Sequence, residues 1–313
     1  MSGTTTTGSA TPAGAKQEGS TRRTRRRARR AERIRDAGGQ LPTRSLVLRY
    51  ILLLVVFAIC IGPFLWQLST SLKGTTEDIY TFPPRWFPSH PTLGNYDKVA
   101  QIIPVWDYAL NSLKVAASNV VTNVIGSSMA GYALARLRFK GRKLAGVAFV
   151  MAMLVPLESI MIAQFTTMRE LHLNNTLIAV VLPGCIGAMN VLLMRNAFAN
   201  LPYEIEEAAI IDGANVWQRF LRVALPSVKG TIAVVAIFAF MGAWDDFLWP
   251  LIVLSDTSKF TLTVGLNYLN GTFNTNPRVV AAGTIIAVLP LIVMFACLQR
   301  FFFRGVGEGA VKG

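Results

Sequence analysis

The most regular feature of the chain is a series of long stretches without Lys, Arg, Asp or Glu. Four of these stretches are unbroken and cover residues 50–72, 115–135, 171–194 and 279–299. Two more, 144–163 and 231–254, are apolar apart from Glu158 in the first and Asp245 and Asp246 in the second. A helix needs about 20 such residues to cross the hydrocarbon core of a bilayer, where its backbone groups must find partners inside the protein. The pattern therefore predicts an all-α membrane protein with six transmembrane helices, near 48–69, 111–135, 144–163, 176–195, 231–254 and 279–300.

The composition agrees with this class and excludes several others. Of the 313 residues, 52% are apolar and 15% are charged, against about 25% charged residues in soluble domains. Three Cys and two His are too few for a disulfide framework or a zinc site. We therefore expect no metal site. Because the chain also has no nucleophile motif of the G-x-S-x-G kind, we expect no catalytic residues and no enzymatic activity.

The distribution of positive charge predicts an orientation. If the N-terminus is placed in the cytoplasm, 24 of the 31 Lys and Arg residues fall in the termini and loops on that side. Cytoplasmic loops of membrane proteins carry an excess of Lys and Arg. Both termini are therefore predicted to be cytoplasmic, and residues 70–110 are predicted to form the longest segment on the outer side.

Residues 1–45 differ from the rest and are predicted to form a disordered, Arg-rich cytoplasmic tail. The first 20 residues are mainly Thr, Gly, Ala and Ser, which cannot form a core, and Arg22–Arg30 is dense in positive charge. Such a run can bind nucleic acid, adhere to anionic lipid or orient the helix that follows it. Because an apolar stretch follows directly, we favour orientation next to membrane lipid and expect no nucleic-acid partner. The membrane domain is then 46–313.

The outer segment 70–110 is rich in aromatic and proline residues, including the run from Pro83 to Pro88. Trp and Tyr are enriched at the level of the lipid headgroups, so one interpretation places this segment at the membrane interface. A second interpretation is a docking surface for an extracytoplasmic partner. The two are compatible, and both are kept.

The loop 200–226, between the fourth and fifth predicted spans, has the pattern of two short helices joined by a turn. Pro202 suits the first turn of a helix, Gly213 suits a left-handed cap, and Asn215 is a good N-cap for a second helix. Pro226 then predicts the turn into the fifth span. The loop is therefore predicted to be an ordered cytoplasmic hairpin, which is the kind of compact knob that enters a groove on a partner.

The spacing within this hairpin resembles a known signature. Glu207-Ala208-Ala209, three residues, Gly213, nine residues and then Val223-x-Leu225-Pro226 is similar to the EAA motif of bacterial ABC-importer permeases, E-A-A-x3-G-x9-I-x-L-P, with Val in place of Ile. Other stretches resemble the carbohydrate branch of that family, specifically the smaller, maltose-type permease subunit. These stretches are Leu173–Thr176, Asp212–Ala214, Trp244–Leu251 and Gly309–Gly313.

The resemblance implies a transmembrane subunit of an ATP-driven importer of sugars in the bacterial cytoplasmic membrane. Its partners would be a homologous permease subunit, two cytoplasmic ATPase subunits and an extracytoplasmic substrate-binding protein. The chain has no G-x-x-x-x-G-K-[ST] loop to hold ATP phosphates, so ATP would be bound by the partner and the chain would need no cofactor. The resemblance places the ATPase contact on Glu207, Ala208, Ala209, Asp212, Gly213, Leu225 and Pro226.

Polar residues within the predicted spans are candidates for the substrate path. Asp245 and Glu158 are each the fifteenth residue of their span, counted from the inner end, and ionisable groups at that depth usually face a bundle interior or an aqueous cavity. Flat indole rings can stack on sugars, and amides can hydrogen-bond to them. The alternative is that the acidic residues cap or interrupt their helices. The candidates are Trp244, Asp245, Asp246, Trp249, Asn190 and Glu158.

An ion-coupled secondary transporter is the alternative function. Such transporters bind substrate and ions near the bilayer midplane and often contain an inverted repeat. The sequence shows neither a repeat nor a charge at the midplane, and the hairpin would have no role in such a protein.

Overall fold

The computed structural model describes the backbone of residues 43–270 and 276–310 and the side chains of residues 46–270 and 276–299. Within these ranges the chain is helical and has no strand. The predicted tail 1–45 and the predicted C-terminal motif Gly309–Gly313 lie outside the described side chains, so both stay predictions. In chain order the α-helices are α1 (Thr43–Leu72), α2 (Gly94–Ile102), α3 (Val105–Arg136), α4 (Arg142–Ala152), α5 (Leu157–Glu170), α6 (Leu177–Val181), α7 (Ala188–Ala199), α8 (Tyr203–Ile211), α9 (Val216–Gln218), α10 (Leu225–Ser227), α11 (Lys229–Asp245), α12 (Leu248–Val253), α13 (Leu262–Asn267) and α14 (Pro277–Ala310).

The chain divides into two units, and the division falls within α1, between Pro63 and Phe64. In the first unit, the large apolar side chains from Leu46 to Ile59 are exposed. A continuous apolar helix with this much exposed surface is typical of contact with lipid. The second unit contains all the other helices.

Two helices, over Leu46–Leu72 and Pro277–Gln299, are long and apolar enough to cross a membrane as single pieces. They correspond to the first and last predicted spans. Three further candidates are pairs of helices joined at a sharp bend: α4 with α5 at 104°, Leu177–Gly184 with α7 at 45°, and Val216–Ser227 with α11 at 81°.

The third, fourth and fifth predicted spans are therefore not the single continuous helices that the sequence suggested. The third is interrupted before Pro156, because the residue before a proline is disfavoured in helical conformation. The fourth is interrupted between Gly184 and Ala188, and the fifth ends its main helix at Asp245. The apolar composition predicts which segments are candidates for crossing a membrane, but it does not indicate where the helices within those segments are interrupted.

Helix α3 contains the second predicted span and packs most extensively against α7 and α11. Its polar side chains are buried and its large apolar ones, such as Leu113, Val121 and Ile125, are exposed. This inverted arrangement suits a helix that has lipid on one side and other helices on the other, because buried polar groups can join helices where water is absent. The buried polar residues of α3 are Asn111, Ser112, Asn119, Asn123, Ser127 and Ser128.

Two apolar cores lie at opposite ends of α3. The first core surrounds its N-terminal half and includes Tyr108, Trp244, Trp249 and Phe260. The second core surrounds its C-terminal end and is made of Tyr132, Met194, Phe198, Phe220, Ala224, Val228 and Val235. Since Phe220 and Ala224 belong to the second arm of the 200–226 hairpin, this core attaches the hairpin to the membrane helices.

The segment between α1 and α2 has exposed aromatic rings and a buried cation. The side chains of Phe82 and Phe87 are 97% and 85% exposed. Lys73 is fully buried, and its Nζ donates to the Arg85 carbonyl at 2.7 Å and lies 4.5 Å from the centre of the Trp66 ring. The exposed rings suit both predicted roles of this segment, at the lipid headgroups or against a partner.

A close approach between α3 and α7 gives a test of this packing. A Cβ added at Gly131 would lie 2.7 Å from Met194 Cβ and 2.8 Å from the Arg195 backbone nitrogen, whereas one added at Gly146 in α4 would meet nothing within 4 Å. We expect Gly131→Ala to destabilise the chain by about 1–3 kcal/mol through overpacking. Gly146→Ala is the matched control, and is expected to be neutral or slightly stabilising because Ala is the better helix former. Thermal unfolding in detergent measures both, and equal unfolding temperatures for the two variants would contradict the close approach.

Candidate functional site

The first arm of the hairpin is α8, which begins after Pro202 and ends at a left-handed glycine. Gly213 has φ of 79°, and the amides of Gly213 and Ala214 donate to the carbonyls of Ile210 and Ala209 at 3.0 and 2.9 Å. These bonds satisfy the carbonyls that the last turn of a helix leaves free. The predicted left-handed cap at Gly213 is confirmed.

The second arm begins at Asn215 with a reciprocal cap. The Asn215 side chain accepts from the Gln218 backbone N–H at 2.9 Å, and the Gln218 side chain accepts from the Asn215 backbone N–H at 2.8 Å. This pair of bonds is a capping box, and the predicted N-cap at Asn215 is confirmed. The arm continues as α9, a π-helical turn over Arg219–Ala224, and α10.

The turn into the fifth span lies two residues later than predicted. Pro226 is inside the short helix α10, which continues the π-helical turn without a break. The backbone leaves helical geometry at Val228, with φ of −112° and ψ of 25°, and the 81° bend to α11 follows. The prediction of a turn at Pro226 itself is therefore wrong.

The residues predicted to contact an ATPase are accessible on this hairpin. Glu207, Ala208, Asp212, Gly213 and Pro226 are exposed, and Ala209 and Leu225 are half-buried. Large apolar side chains, which the EAA spacing does not include, are also exposed here. Large apolar groups at the surface of a hairpin are typical of an interaction site. They include Ile210, Ile211, Trp217 and Leu221.

The base of the hairpin is fixed to the ends of α3 and α7. Arg136 donates from Nε and Nη2 to the Phe198 carbonyl at 3.0 and 2.7 Å and also bonds the Leu201 carbonyl. Its guanidinium lies 5.7 Å from the centre of the Tyr203 ring. One arginine therefore bonds a carbonyl in the last turn of α7 and a carbonyl in the residues that follow it, and contacts the first residue of α8.

The two tryptophans predicted for the substrate path are part of the first core. Trp244 is 3% exposed, stacks on Phe240 with 5.5 Å between ring centres, and donates its indole N–H to the Ala287 carbonyl at 3.0 Å. Trp249 is 7% exposed and donates to the Ala179 carbonyl at 3.0 Å. In this conformation neither ring is open for stacking on a sugar, and both tie helices together.

The acidic pair after Trp244 is divided between two environments. Asp245, the last residue of α11, is exposed, and Asp246 is half-buried. The Asp246 carboxylate accepts from the Trp249 backbone N–H at 3.4 Å, and its carbonyl accepts from the Thr263 hydroxyl at 2.7 Å. Asp246 thus caps the residues that follow it, as the alternative interpretation predicted, while Asp245 is exposed at the surface.

Asn190 and Glu158 also have different surroundings. Asn190 is 7% exposed and donates to Asn123 Oδ1 at 2.9 Å, which places it in a buried amide network. Glu158 is exposed in the first turn of α5, directly after the break at Pro156. Of the six predicted path residues, Asp246 and Trp249 are the pair joined by a hydrogen bond in the described part of the chain.

The stretch Leu173–Thr176 joins two loops. Asn175 adopts φ of 59°, a left-handed conformation that Asn tolerates better than most residues. Its Oδ1 accepts from the backbone amides of Ser255 and Asp256 at 3.1 and 3.0 Å. The hydroxyl and backbone N–H of Ser258 donate to the Asp256 carboxylate, and these bonds lower the pKa of Asp256.

The chain is similar to a family of known transport proteins and to individual members of it. Residues 123–308 match the family model described as the binding-protein-dependent transport system inner membrane component. The arabinooligosaccharides transport system permease protein AraQ of Halalkalibacterium halodurans is 34% identical over 72% of this chain and 81% of its own. The inner membrane ABC transporter permease protein YcjP of Escherichia coli K12 is 35% identical over 84% of this chain and 95% of its own.

A solved structure supports the same assignment. One chain of a crystal structure of a bacterial ABC transporter involved in the import of the acidic polysaccharide alginate superposes with a TM-score of 0.72. The two sequences are 26% identical, and the match covers 83% of this chain and 97% of the other. By sequence, by family model and by fold, the chain belongs to the family of inner membrane components of binding-protein-dependent transport systems.

Proposed function

We propose that the chain is a membrane-spanning subunit of an ATP-driven importer of oligosaccharides, and that the 200–226 hairpin is its contact with a cytoplasmic ATPase. The observation that carries this proposal is the hairpin itself. Both of its arms are capped, its base is bonded to α3 and α7, and the residues with the EAA spacing are exposed at its surface. A fixed knob with an accessible face suits insertion into a groove.

The topology that we propose has six membrane crossings with both termini in the cytoplasm. The two unbroken apolar helices, the bent pairs α4 with α5 and Leu177–Gly184 with α7, and α11 from the third bent pair supply five of these crossings, and α3 supplies the sixth. Helix α3 is 32 residues long, which exceeds the about 20 residues that a crossing requires. The excess of Lys and Arg on one side supports this orientation, in which the hairpin is cytoplasmic.

The partners that we propose follow from this topology and from the family. They are a homologous permease subunit, two ATPase subunits, a substrate-binding protein on the outer side, and the lipid of a bacterial cytoplasmic membrane. The relatives named for arabinooligosaccharides and for alginate support a sugar substrate. Of the predicted path residues, Asp245 and Glu158 have exposed carboxylates, so we propose these two as the candidates for direct contact with substrate.

Copurification tests the ATPase contact. Gentle solubilisation of the tagged chain is expected to recover an ATPase and a second permease. Glu207→Arg reverses the charge of the knob and Ala208→Tyr enlarges it, so each is expected to reduce the recovered ATPase by about tenfold or more. Glu204→Arg makes the same charge change at an exposed position of the same helix and is the matched control. Recovery of a homo-oligomer without ATPase would contradict the proposal and favour the ion-coupled alternative.

The left-handed turn at Gly213 allows a separate test of the hairpin's shape. A Cβ at this position would meet no atom within 4 Å, so a substitution acts through φ and not through a clash. A residue with a branched Cβ in this conformation costs about 1–2 kcal/mol or more. Gly213→Val is therefore expected to reduce the recovered ATPase by about fivefold, whereas Gly213→Asn, which tolerates this φ, is expected to retain most of it. Equal recovery with both variants would show that the shape of the turn does not matter.

The energy source distinguishes the two transporter classes. Membrane vesicles containing the complete transporter are expected to accumulate radiolabelled arabinooligosaccharides or alginate oligosaccharides when supplied with ATP. They are expected to accumulate none when an ion gradient is imposed without ATP, because ATP hydrolysis by the partner supplies the driving force. Accumulation under the ion gradient alone would mean a secondary transporter.

A further inference from the structure

A cavity of about 430 Å³ lies between the first turns of α3 and a 3₁₀ turn that connects α12 to α13. Asp107, Asn111 and Lys114 line it from the helix, and Thr257 and Ser258 line it from the turn. Its volume is within the range of about 300–1,000 Å³ that small-molecule sites occupy. The described lining residues include none of those proposed above for the substrate path or for the ATPase contact.

The two walls of this cavity are held together by buried hydrogen bonds. Asn111 is 7% exposed, and its Nδ2 donates to the carbonyls of Ser258 and Phe260 at 2.9 and 3.1 Å. Next to it, the Ser112 hydroxyl accepts from the Leu262 backbone N–H at 2.8 Å. The cavity is therefore formed before any ligand enters it, and such preorganisation lowers the entropic cost of binding.

The cavity carries two opposite charges. Asp107 and Lys114 are seven residues apart on α3, so they lie on the same face of the helix and are separated by about 10 Å along its axis. Both are exposed, and the one ion pair among the described residues joins two others, Asp256 and Lys259. The carboxylate and the ammonium are thus each able to bind a ligand group of the opposite charge.

The geometry of α3 alone does not explain both charges. Asp107 is in the first turn, where an acidic residue complements the helix dipole. Lys114 is the tenth residue of the helix, beyond the first turn to which this effect is confined. An ionisable residue within a membrane-crossing helix usually has a partner, so the position of Lys114 indicates a negatively charged ligand.

The order of the two charges matches a phospholipid headgroup. In the proposed topology α3 enters the membrane from the outer side, so Asp107 is nearer to the water and Lys114 is deeper. Helical side chains tilt toward the N-terminus of their helix, which brings the long Lys114 side chain closer to the outer surface. In an aminophospholipid the phosphate is attached to the glycerol, and the ammonium lies beyond it on the side of the water.

Apolar side chains beside the cavity suit the rest of such a lipid. Leu110, which lines the cavity, is 49% exposed, and Leu113 is 48% exposed. Exposed apolar residues on a membrane-crossing helix are suited to contact with acyl chains. A soluble sugar fits the cavity less well, because none of its described lining residues is aromatic and no ring is available for stacking.

We propose that this cavity binds a phospholipid whose headgroup carries a primary ammonium. The Lys114 ammonium binds the phosphate, the Asp107 carboxylate accepts hydrogen bonds from the ammonium of the lipid, and the acyl chains lie along Leu110 and Leu113. The inference goes beyond the proposed function and takes from it only the direction of α3 in the membrane.

Lipid binding to the purified transporter, with the subunits that accompany the chain, tests this proposal. The delipidated transporter is titrated with one lipid at a time, and bound lipids are counted by native mass spectrometry. Phosphatidylglycerol lacks the ammonium, and the trimethylated nitrogen of phosphatidylcholine cannot donate a hydrogen bond. One molecule of phosphatidylethanolamine is therefore expected to bind about fivefold or more tightly than either of them. Equal binding of all three lipids would overturn the inference.

Neutralising each charge separates the two contacts. Lys114→Gln is expected to weaken the binding of phosphatidylethanolamine by about fivefold or more, because it removes the partner of the phosphate. Asp107→Asn is expected to reduce the affinity for phosphatidylethanolamine to that for phosphatidylcholine. Arg169→Gln and Asp97→Asn make the same charge changes at exposed positions outside the cavity. They are the matched controls and are expected to leave the affinities unchanged.

Exchanging the two charges tests their order. The double variant Asp107→Lys, Lys114→Asp keeps the net charge but places a carboxylate at the depth of the phosphate. It is expected to bind phosphatidylethanolamine about fivefold or more weakly than the unmodified transporter, and unchanged binding would overturn the inference. Because both positions are exposed, its unfolding temperature is expected to be unchanged, which distinguishes loss of the site from loss of folded protein.

Competition identifies the source of the ligand. Glycerophosphoethanolamine has the same headgroup without acyl chains and, in large excess, is expected to leave the lipid bound. Its displacement of the lipid would assign the cavity to a soluble phosphate ester, and displacement by arabinooligosaccharides would assign it to the substrate. Either result would overturn the lipid assignment.

The direction of α3 is checked separately. In right-side-out vesicles, and after replacement of the native cysteines by Ala, Asp107→Cys is expected to react with a membrane-impermeant maleimide added from outside. Absence of this labelling would contradict the proposed topology and with it the match of the charge order to the headgroup. Labelling together with the loss of lipid selectivity in the unmodified transporter would contradict the lipid site alone.

Discussion

Each backbone N–H and C=O group inside a bilayer needs a partner within the protein, and at the break between α6 and α7 Asn123 provides it. Its Nδ2 donates to the Gly184 carbonyl at 2.8 Å, and its Oδ1 accepts from the Gly187 N–H at 2.7 Å. The same oxygen accepts from Asn190. A helix can be interrupted at membrane depth when neighbouring helices satisfy the freed groups in this way. The interruption between Gly184 and Ala188 thus depends on the polar face of α3, which provides hydrogen-bond partners for the freed backbone groups.

The same requirement explains the positions of the two tryptophans. Trp244 and Trp249 each donate an indole N–H to a backbone carbonyl of another helical segment, at Ala287 and Ala179. In a water-free layer, a buried N–H without an acceptor would be costly, so both residues join helices as well as fill space. From the sequence, the two indole rings were candidates for stacking on a sugar. In the structure both rings are buried in the first core. An indole ring and its N–H group can bind a ligand, but the same groups can also pack and hydrogen-bond within the protein.

The sequence predicts the parts of this fold that depend on local rules. Gly213 and Asn215 were identified because a left-handed turn and an N-cap each favour a few residue types. Charge-free length also predicted the first and last spans, where the described part of the chain has the two helices that are long and apolar enough to cross a membrane as single pieces. By contrast, the break before Pro156 was hidden within an apolar run, and the burial of Glu206 depends on how the hairpin packs. A buried glutamate and an exposed one look alike until the packing is known.

The geometry of the hairpin bears on how movement can reach the membrane. The second arm meets α11 at 81°, so a displacement along the arm is not directed along the axis of α11. Side-chain contacts offer a more direct route, because Phe220 packs on Tyr132 and Arg136 lies against Tyr203. Both contacts lead to the C-terminal end of α3. The helix whose polar face supports the interruption at Gly184 is thus also the helix that the hairpin touches, so α3 lies between the hairpin and the helices α7 and α11 on which it packs.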